Sequence, residues 1–107
     1  MYKVVVVEDE ELILKGLVYS IPWADIGCTV VGQGRNGVEG IQQIRLHQPD
    51  IVIVDINMPI LSGTDMLRQT HGDYCYSAII LSGYSSFEYA KDAMACGAVR
   101  YLLKPLK

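Results

Sequence analysis

The chain has 107 residues, about the length of one domain; half of them are hydrophobic and 20% are charged, which excludes a disordered or low-complexity chain. Nine basic and twelve acidic side chains give a net charge of -3, so we expect this domain to bind no nucleic acid. The three cysteines are odd in number and lack metal-site spacing, which indicates reduced, mostly buried thiols rather than disulfides.

Targeting segments are the next class that the sequence excludes. No apolar run approaches the roughly 20 residues of a membrane span. The N-terminus meets acidic residues directly after its valines, unlike a signal peptide. We therefore expect one soluble, cytoplasmic domain that does not bind membranes.

The first predicted elements are a strand, a helix and a second strand. The segment Lys3–Val7 is nearly all valine, which is typical of a strand buried on both faces. A helix follows over Glu10–Ser20 and stops before Pro22, and Thr29–Gly32 is the second strand. One face of this helix is expected to be formed by Leu12, Ile13, Gly16 and Leu17.

The middle of the chain repeats this order. Asn36 is predicted to cap a second helix, with Glu39 three residues later, and Ile51–Val54 is the third strand. A shorter third helix begins at Ser62 and Asp65. The inward side chains of the second helix are predicted to be Val38, Ile41 and Ile44.

The last third adds two strands around a fourth helix. The strands are Ala78–Leu81 and Tyr101–Leu103, and the helix begins at the capping-box pattern Ser85-Ser86-Phe87-Glu88 and stops at Gly97. Strand and helix thus alternate four times before a fifth strand, which predicts a parallel α/β sheet. Because an open sheet needs helices on both faces, we expect the chain to end before a final helix.

Polar residues follow four of the predicted strands. In an open parallel α/β sheet, ligands bind beyond the carboxyl ends of the strands. The first strand leads to two acids there, the third to an acid and an amide, the fourth to a hydroxyl and the fifth to an ammonium group. These residues are Glu8, Asp9, Asp55, Asn57, Ser82 and Lys104.

Three of these residues are carboxylates that repel one another at close range. A divalent cation removes the repulsion, and hard oxygen ligands suit Mg²⁺. Asp55 ends the most buried strand and is therefore the candidate nucleophile for a phosphoryl group, forming an aspartyl phosphate. Mg²⁺, Lys104 and the Ser82 hydroxyl are then expected to hold the three phosphoryl oxygens.

The whole chain resembles the receiver domain of two-component response regulators. The resemblance is carried by four motifs in order: Val7-Glu8-Asp9-Glu10, Val54-Asp55-Ile56-Asn57-Met58-Pro59 with Gly63 beyond, Leu81-Ser82-Gly83, and Tyr101-Leu102-Leu103-Lys104-Pro105. It implies a flavodoxin-like, doubly wound sheet of five parallel strands in the order 2-1-3-4-5, with helices on both faces. Residues 1–107 are then one receiver domain that lacks its final helix.

The resemblance also implies a role for each residue of the site. Asp55 matches the phosphoacceptor, which takes a phosphoryl group from the phosphohistidine of a sensor histidine kinase. Glu8 and Asp9 match the acidic pair that holds Mg²⁺ together with Asp55 and the backbone carbonyl of Asn57. The residues that match the phosphoryl-contacting hydroxyl, the phosphoryl-contacting lysine and the aromatic switch are Ser82, Lys104 and Tyr101.

Two residues depart from the family pattern. Glu8 stands where Asp is commoner, so its carboxylate lies one methylene further from the backbone and Mg²⁺ affinity is expected to differ. Ser82 stands where Thr is commoner and keeps the hydroxyl without the methyl group. We therefore expect the departures to change Mg²⁺ binding and the switch, and to leave the phosphoacceptor Asp55 unaffected.

Two further stretches indicate an output. Residues 21–27 (Ile-Pro-Trp-Ala-Asp-Ile-Gly) and 83–90 (Gly-Tyr-Ser-Ser-Phe-Glu-Tyr-Ala) resemble receivers that precede an AraC-type helix-turn-helix domain. The resemblance implies a bacterial transcription regulator that binds DNA through a C-terminal domain outside this chain. It also implies a receiver that forms homodimers on activation.

Other functions and simpler interpretations remain open. An aspartyl-phosphate phosphohydrolase needs a second Asp two residues after the nucleophile, where this chain has Asn57. A flavin or nucleotide binder needs anion donors in the first loop, where Glu8–Glu11 would repel an anion. A receiver-like interaction module that is never phosphorylated is a further alternative. For Glu10 and Glu11 we favour the simpler interpretation of acids at a helix start, and Tyr101 is compatible with an ordinary core position.

The segment Gly32–Gly37 matches the dinucleotide-binding pattern G-x-G-x-x-G between a strand and a helix. It follows the second strand rather than the first, and the chain is too short for a whole dinucleotide-binding domain. We therefore do not expect a dinucleotide site.

Overall fold

The computed structural model describes residues 1–55, 58, 60–70, 72–82 and 98–103, with residues 82 and 98–103 described through their backbone. In chain order the elements are β1 (Tyr2–Val7), α1 (Glu11–Tyr19), a 3₁₀ turn (Trp23–Ile26), β2 (Cys28–Gly34), α2 (Gly37–His47), β3 (Ile51–Asp55), α3 (Gly63–Thr70), β4 (Ser77–Ser82) and β5 (Ala98–Leu103). The predicted helix from Ser85 to the stop at Gly97 lies outside the described residues.

The five strands form one parallel sheet in the order β2-β1-β3-β4-β5. β1 lies between β2 and β3, with Val7 opposite Gly34 on one side and Val54 on the other. The predicted fold class and strand order are therefore confirmed. β2 is longer than the predicted Thr29–Gly32 because its pairing with β1 continues to Gly34.

Alternate valines of β1 face opposite sides of the sheet, as the period of two in a strand requires. Val5 and Val7 pack against α2 and α3, and Val4 and Val6 pack against α1. All four are fully buried. Helices thus cover both faces of the sheet, which explains the continuous valine run of β1. The helix residues in the two cores are Ile41, Ile44, Met66 and Leu67 on one face and Leu14 and Leu17 on the other.

Two of the predicted inward side chains are exposed. Leu12 is 86% exposed, and Leu14 takes the buried place beside Leu17, because two residues advance about 200° around a helix. Val38 is 42% exposed because it lies about 100° around the helix from Gly37. Gly37 and Ile44 both lie on the buried face of α2. The hydrophobic pattern found both helices but misplaced one residue in the buried face of each.

Of the two cysteines in the described part of the chain, only one is buried as predicted, and Cys96 lies outside the described residues. Cys28 is buried and Cys75 is exposed, and both are free thiols. Cys75 lies in the turn before β4 rather than on a strand face, which explains its exposure. Within the described residues, no helix combines the length and the apolar character needed to cross a bilayer.

Gly37 brings the start of α2 against the loop that precedes α3. Its amide donates to the Leu61 carbonyl oxygen at 3.0 Å, and a Cβ atom at this position would collide with that carbonyl group. The nearest carbon atoms, Leu61 Cβ and Leu61 C, would lie at 2.8 and 2.9 Å. The last glycine of the G-x-G-x-x-G pattern therefore has a packing role.

We expect Gly37→Ala to lower the free energy of unfolding by about 1–3 kcal/mol, because the Leu61 backbone must move to admit a methyl group. Gly16→Ala is the matched control, since a Cβ atom added there, in the middle of α1, would meet no neighbouring group within 4 Å. That variant is expected to gain about 0.5–1 kcal/mol from helix propensity. Urea denaturation measures both, and equal effects of the two substitutions would contradict the packing role.

Candidate functional site

Three carboxylates meet at the carboxyl edge of the central strands. Asp55 ends β3, and Glu8 and Asp9 follow β1 directly. Because Val7 pairs with Val54, the next residue of each strand comes to the same edge of the sheet. One carboxylate oxygen from each of the three residues lies within 4.8 Å of the others. The structure therefore brings together the three acids that the sequence predicted.

Burial makes this cluster electrostatically costly. The Glu8 side chain is fully buried and Asp55 is 3% exposed, while Asp9 is half-buried. Like charges at this separation repel strongly where water is excluded. Oxygen atoms bound to one Mg²⁺ lie about 3–4 Å apart, since each Mg–O bond is about 2 Å long. The three carboxylates thus offer the oxygen donors that a small divalent cation prefers, within 4.8 Å of one another.

The loop that carries the acids is tied to the neighbouring loop before α2. The Glu8 amide donates to the Gly34 carbonyl oxygen at 2.9 Å. The Arg35 guanidinium donates to the Asp9 carbonyl oxygen from Nε at 3.3 Å and from Nη2 at 3.1 Å. Two consecutive residues of the acidic loop are therefore held by two consecutive residues of the next loop.

The start of α2 confirms Asn36 as the predicted cap. The Glu39 amide donates to Asn36 Oδ1 at 2.9 Å, which satisfies one of the free amides at the helix start. The Glu39 carboxylate in turn accepts from the Arg35 amide at 2.9 Å through Oε1. This network fixes the backbone from which Arg35 extends towards Asp9.

Glu11 belongs to the helix rather than to the carboxylate cluster. It lies in the first turn of α1 and its Oε1 is 3.2 Å from the Lys15 ammonium group. A hydrogen bond from Lys15, the charge of Lys15 and the charge of Arg35 lower the pKa of the Glu11 carboxyl below its usual value. The interpretation of Glu11 as an acid at a helix start is consistent with this arrangement.

The remaining predicted site residues are placed through the backbone or lie outside the described residues. Asp55 pairs with Leu81, so Ser82, the last residue of β4, is the next position at the same edge of the sheet. Tyr101 pairs with Ile80 inside β5. Asn57 and Lys104 lie outside the described residues. The roles of all four side chains remain predictions.

Arg35 is the residue of this site that the sequence analysis missed. The sequence shows it only as a variable position of the G-x-G-x-x-G pattern. Its contact with Asp9 joins loops 26 residues apart, which no local pattern reveals. The one available sequence clue is its place between a strand end and a helix cap, at the ligand-binding edge of the sheet.

Comparison with known proteins gives a family match over nearly the whole chain. A family model described as the response regulator receiver domain matches residues 4–107. The transcriptional regulatory protein HptR of Staphylococcus aureus is 42% identical over 106 residues, which are 99% of this chain and 42% of HptR. This chain spans 29% to 42% of the length of the curated relatives that it matches first.

Solved structures match with the same architecture. The REC domain of AraT, a response regulator from Geobacillus stearothermophilus, has a TM-score of 0.93 and 31% identity, over 99% of this chain and 83% of that one. A chain of the CheX–CheY–BeF3–Mg²⁺ complex from Borrelia burgdorferi has a TM-score of 0.84 and 26% identity, over 99% of this chain and 80% of that one.

Proposed function

The chain belongs to the response regulator receiver family, and from this premise we propose that it is a phosphorylation-controlled switch of a bacterial two-component system. Asp55 accepts a phosphoryl group from the phosphohistidine of a sensor histidine kinase in the cytoplasm. The observation that carries the proposal is the buried Asp55 carboxylate with Glu8 and Asp9 oxygens within 4.8 Å of it. A buried acid contributes nothing to solubility, and this supports a chemical role for Asp55.

The transfer is a displacement at phosphorus. An Asp55 carboxylate oxygen attacks the phosphorus atom, the bond from phosphorus to the histidine nitrogen breaks, and the imidazole leaves. Burial of Asp55 limits its contact with water, so the acyl phosphate is shielded from hydrolysis. The Ser82 hydroxyl and the Lys104 ammonium group are proposed to contact the phosphoryl oxygens, as the family pattern implies.

The proposed metal ligands are Glu8, Asp9, Asp55 and the backbone carbonyl of Asn57. When bound, Mg²⁺ supplies positive charge that offsets the three carboxylates and the incoming phosphoryl oxygens. The CheX–CheY complex contains Mg²⁺ together with BeF3, a mimic of a phosphoryl group, which supports the choice of Mg²⁺ as the cation. Asn57 stands where a phosphohydrolase needs an acid, which favours a phosphoryl group that persists over one that is turned over.

The output is proposed to be transcription. HptR is a transcriptional regulatory protein, and this chain spans 42% of it, so the DNA-binding part is assigned to a domain outside residues 1–107. A change at Ser82 and Tyr101 on phosphorylation is proposed to alter the surface around β4 and β5, including its affinity for a second copy of the chain.

The proposal is tested by intact mass after incubation with acetyl phosphate and Mg²⁺. We expect a gain of one phosphoryl group with Mg²⁺ and none when excess EDTA is present, because the carboxylate cluster repels an uncompensated phosphoryl anion. Thermal unfolding of the same samples confirms that the chain is folded in both. A folded chain that gains no phosphoryl group in Mg²⁺ would instead be a receiver-like interaction module.

A further inference from the structure

The acidic loop after β1 is held in place by a side chain that the family motifs do not include. The two hydrogen bonds that the Arg35 guanidinium donates to Asp9 end on its backbone carbonyl oxygen, at 3.1 and 3.3 Å, and not on its carboxylate. They therefore restrain the backbone of Asp9 and leave its carboxylate to face the Glu8 and Asp55 oxygens, within 4.8 Å of both.

Arg35 is itself anchored at its other end. Its amide donates to Glu39 Oε1 at 2.9 Å, and the Glu39 amide in turn donates to Asn36 Oδ1 at 2.9 Å. A planar guanidinium that presents two N–H groups to one acceptor loses little conformational freedom for each bond that it forms. The capped end of α2 thus supports Asp9 through one side chain.

We propose that Arg35 is a positioning residue for the metal ligand Asp9, an inference that rests on the proposed function. By holding the Asp9 carbonyl, Arg35 keeps the most exposed of the three carboxylates in the place where it completes the Mg²⁺ site. Residues that orient metal ligands from outside the coordination sphere commonly change metal affinity when they are substituted.

The positive charge of Arg35 is expected to weaken Mg²⁺ binding, whereas its hydrogen bonds are expected to strengthen it. A cation near the site repels Mg²⁺, so loss of the charge alone would tighten binding. Arg35 is exposed, however, and solvent and salt screen exposed charges at physiological ionic strength. The hydrogen bonds to the Asp9 carbonyl act through direct contact, so we expect the loss of positioning to outweigh the loss of repulsion.

The test compares Arg35→Ala with Arg45→Ala by calorimetric titration with MgCl₂ at physiological ionic strength. Arg45 lies in the last turn of α2, is exposed, and its substitution removes the same charge. We expect Arg35→Ala to weaken Mg²⁺ binding by about threefold to tenfold, and Arg45→Ala by less than about twofold. Arg35→Lys is expected to recover part of the loss, because lysine retains one donor that can reach the carbonyl.

A second readout separates positioning from a general loss of activity. With acetyl phosphate as donor, Arg35→Ala should raise the Mg²⁺ concentration for half-maximal phosphorylation and leave the rate at saturating Mg²⁺ unchanged. A lower rate at saturating Mg²⁺, or Mg²⁺ affinity that is unchanged or tighter, would overturn the inference. If Arg35→Ala unfolds, Arg35→Met decides, because methionine keeps an aliphatic side chain and has no N–H donor, and Mg²⁺ binding equal to that of the parent would then overturn the inference. If the parent chain neither binds Mg²⁺ nor gains a phosphoryl group, the proposed function is contradicted together with the inference.

Discussion

Asp55→Asn is expected to abolish the gain of a phosphoryl group from acetyl phosphate in Mg²⁺, slowing it by at least about a thousandfold. The amide keeps the shape of the carboxylate at a position that is 3% exposed, so the fold should be retained. It removes the negative oxygen that attacks phosphorus, and an amide oxygen is a far weaker nucleophile. Intact mass and the rate of phosphoryl gain measure the loss.

Asp73→Asn is the matched control for this experiment. Asp73 is exposed in the turn after α3, before β4 begins, and so lies at the opposite edge of the sheet from Asp55. The same change of carboxylate to amide there should leave phosphorylation unaffected. Phosphoryl gain by the Asp55→Asn variant at the parent's rate would place the acceptor at another residue.

The parallel sheet could be predicted because short apolar strands alternate with helices along the chain, whereas the order of the strands was implied by the family resemblance. In β1 the four consecutive valines pack alternately on two faces, so a continuous apolar run is what a doubly covered strand requires. The acids that follow β1 and β3 could then be placed together, since adjacent parallel strands end at one edge. Local composition and topology were sufficient for this part of the site.

The errors lie where local pattern and packing disagree. In α1 the sequence offers more apolar residues than the sheet can cover, and Leu12 remains exposed. In α2 the buried stripe contains glycines, which carry no hydrophobic signal, because α2 approaches Val7 and Met66 closely at Gly40. The sequence therefore located both helices but did not fix how they are rotated on the sheet.

Long-range polar contacts also could not be predicted from the sequence. The bond from Arg35 to Asp9 depends on the pairing of β1 with β2, which brings two loops side by side. Its geometry follows from the fold and from the cap of α2, and neither residue is unusual in its own segment. The family motifs identify the carboxylates, while the structure identifies what holds one of them in place.

Glu8→Gln is expected to have opposite effects on the stability of the metal-free chain and on Mg²⁺ binding. Glu8 is fully buried, with an oxygen within 4.8 Å of the Asp9 and Asp55 oxygens. Glutamine has the same shape and removes one of three neighbouring negative charges. The free energy of unfolding in EDTA should therefore rise by about 1–3 kcal/mol.

In Mg²⁺ the stability advantage of the Glu8→Gln variant over the parent should shrink. Loss of one carboxylate ligand is expected to weaken Mg²⁺ binding by about tenfold or more. A ligand that binds only the folded chain stabilises it by about 2.7 kcal/mol at a concentration one hundred times its Kd. At a Mg²⁺ concentration that saturates the parent, the free energy of unfolding therefore rises more for the parent than for the variant. Urea denaturation of both chains, in EDTA and in MgCl₂, measures the four values.

Glu11→Gln is the matched control for Glu8→Gln. It removes an exposed carboxylate three residues further along the chain, where the Lys15 ammonium group lies 3.2 Å away. Because exposed ion pairs contribute little, its free energy of unfolding should stay close to that of the parent in both solutions. If Glu8→Gln instead lost stability in EDTA, the Glu8 charge would be stabilised by its surroundings. Repulsion among the three acids would then not be what Mg²⁺ relieves.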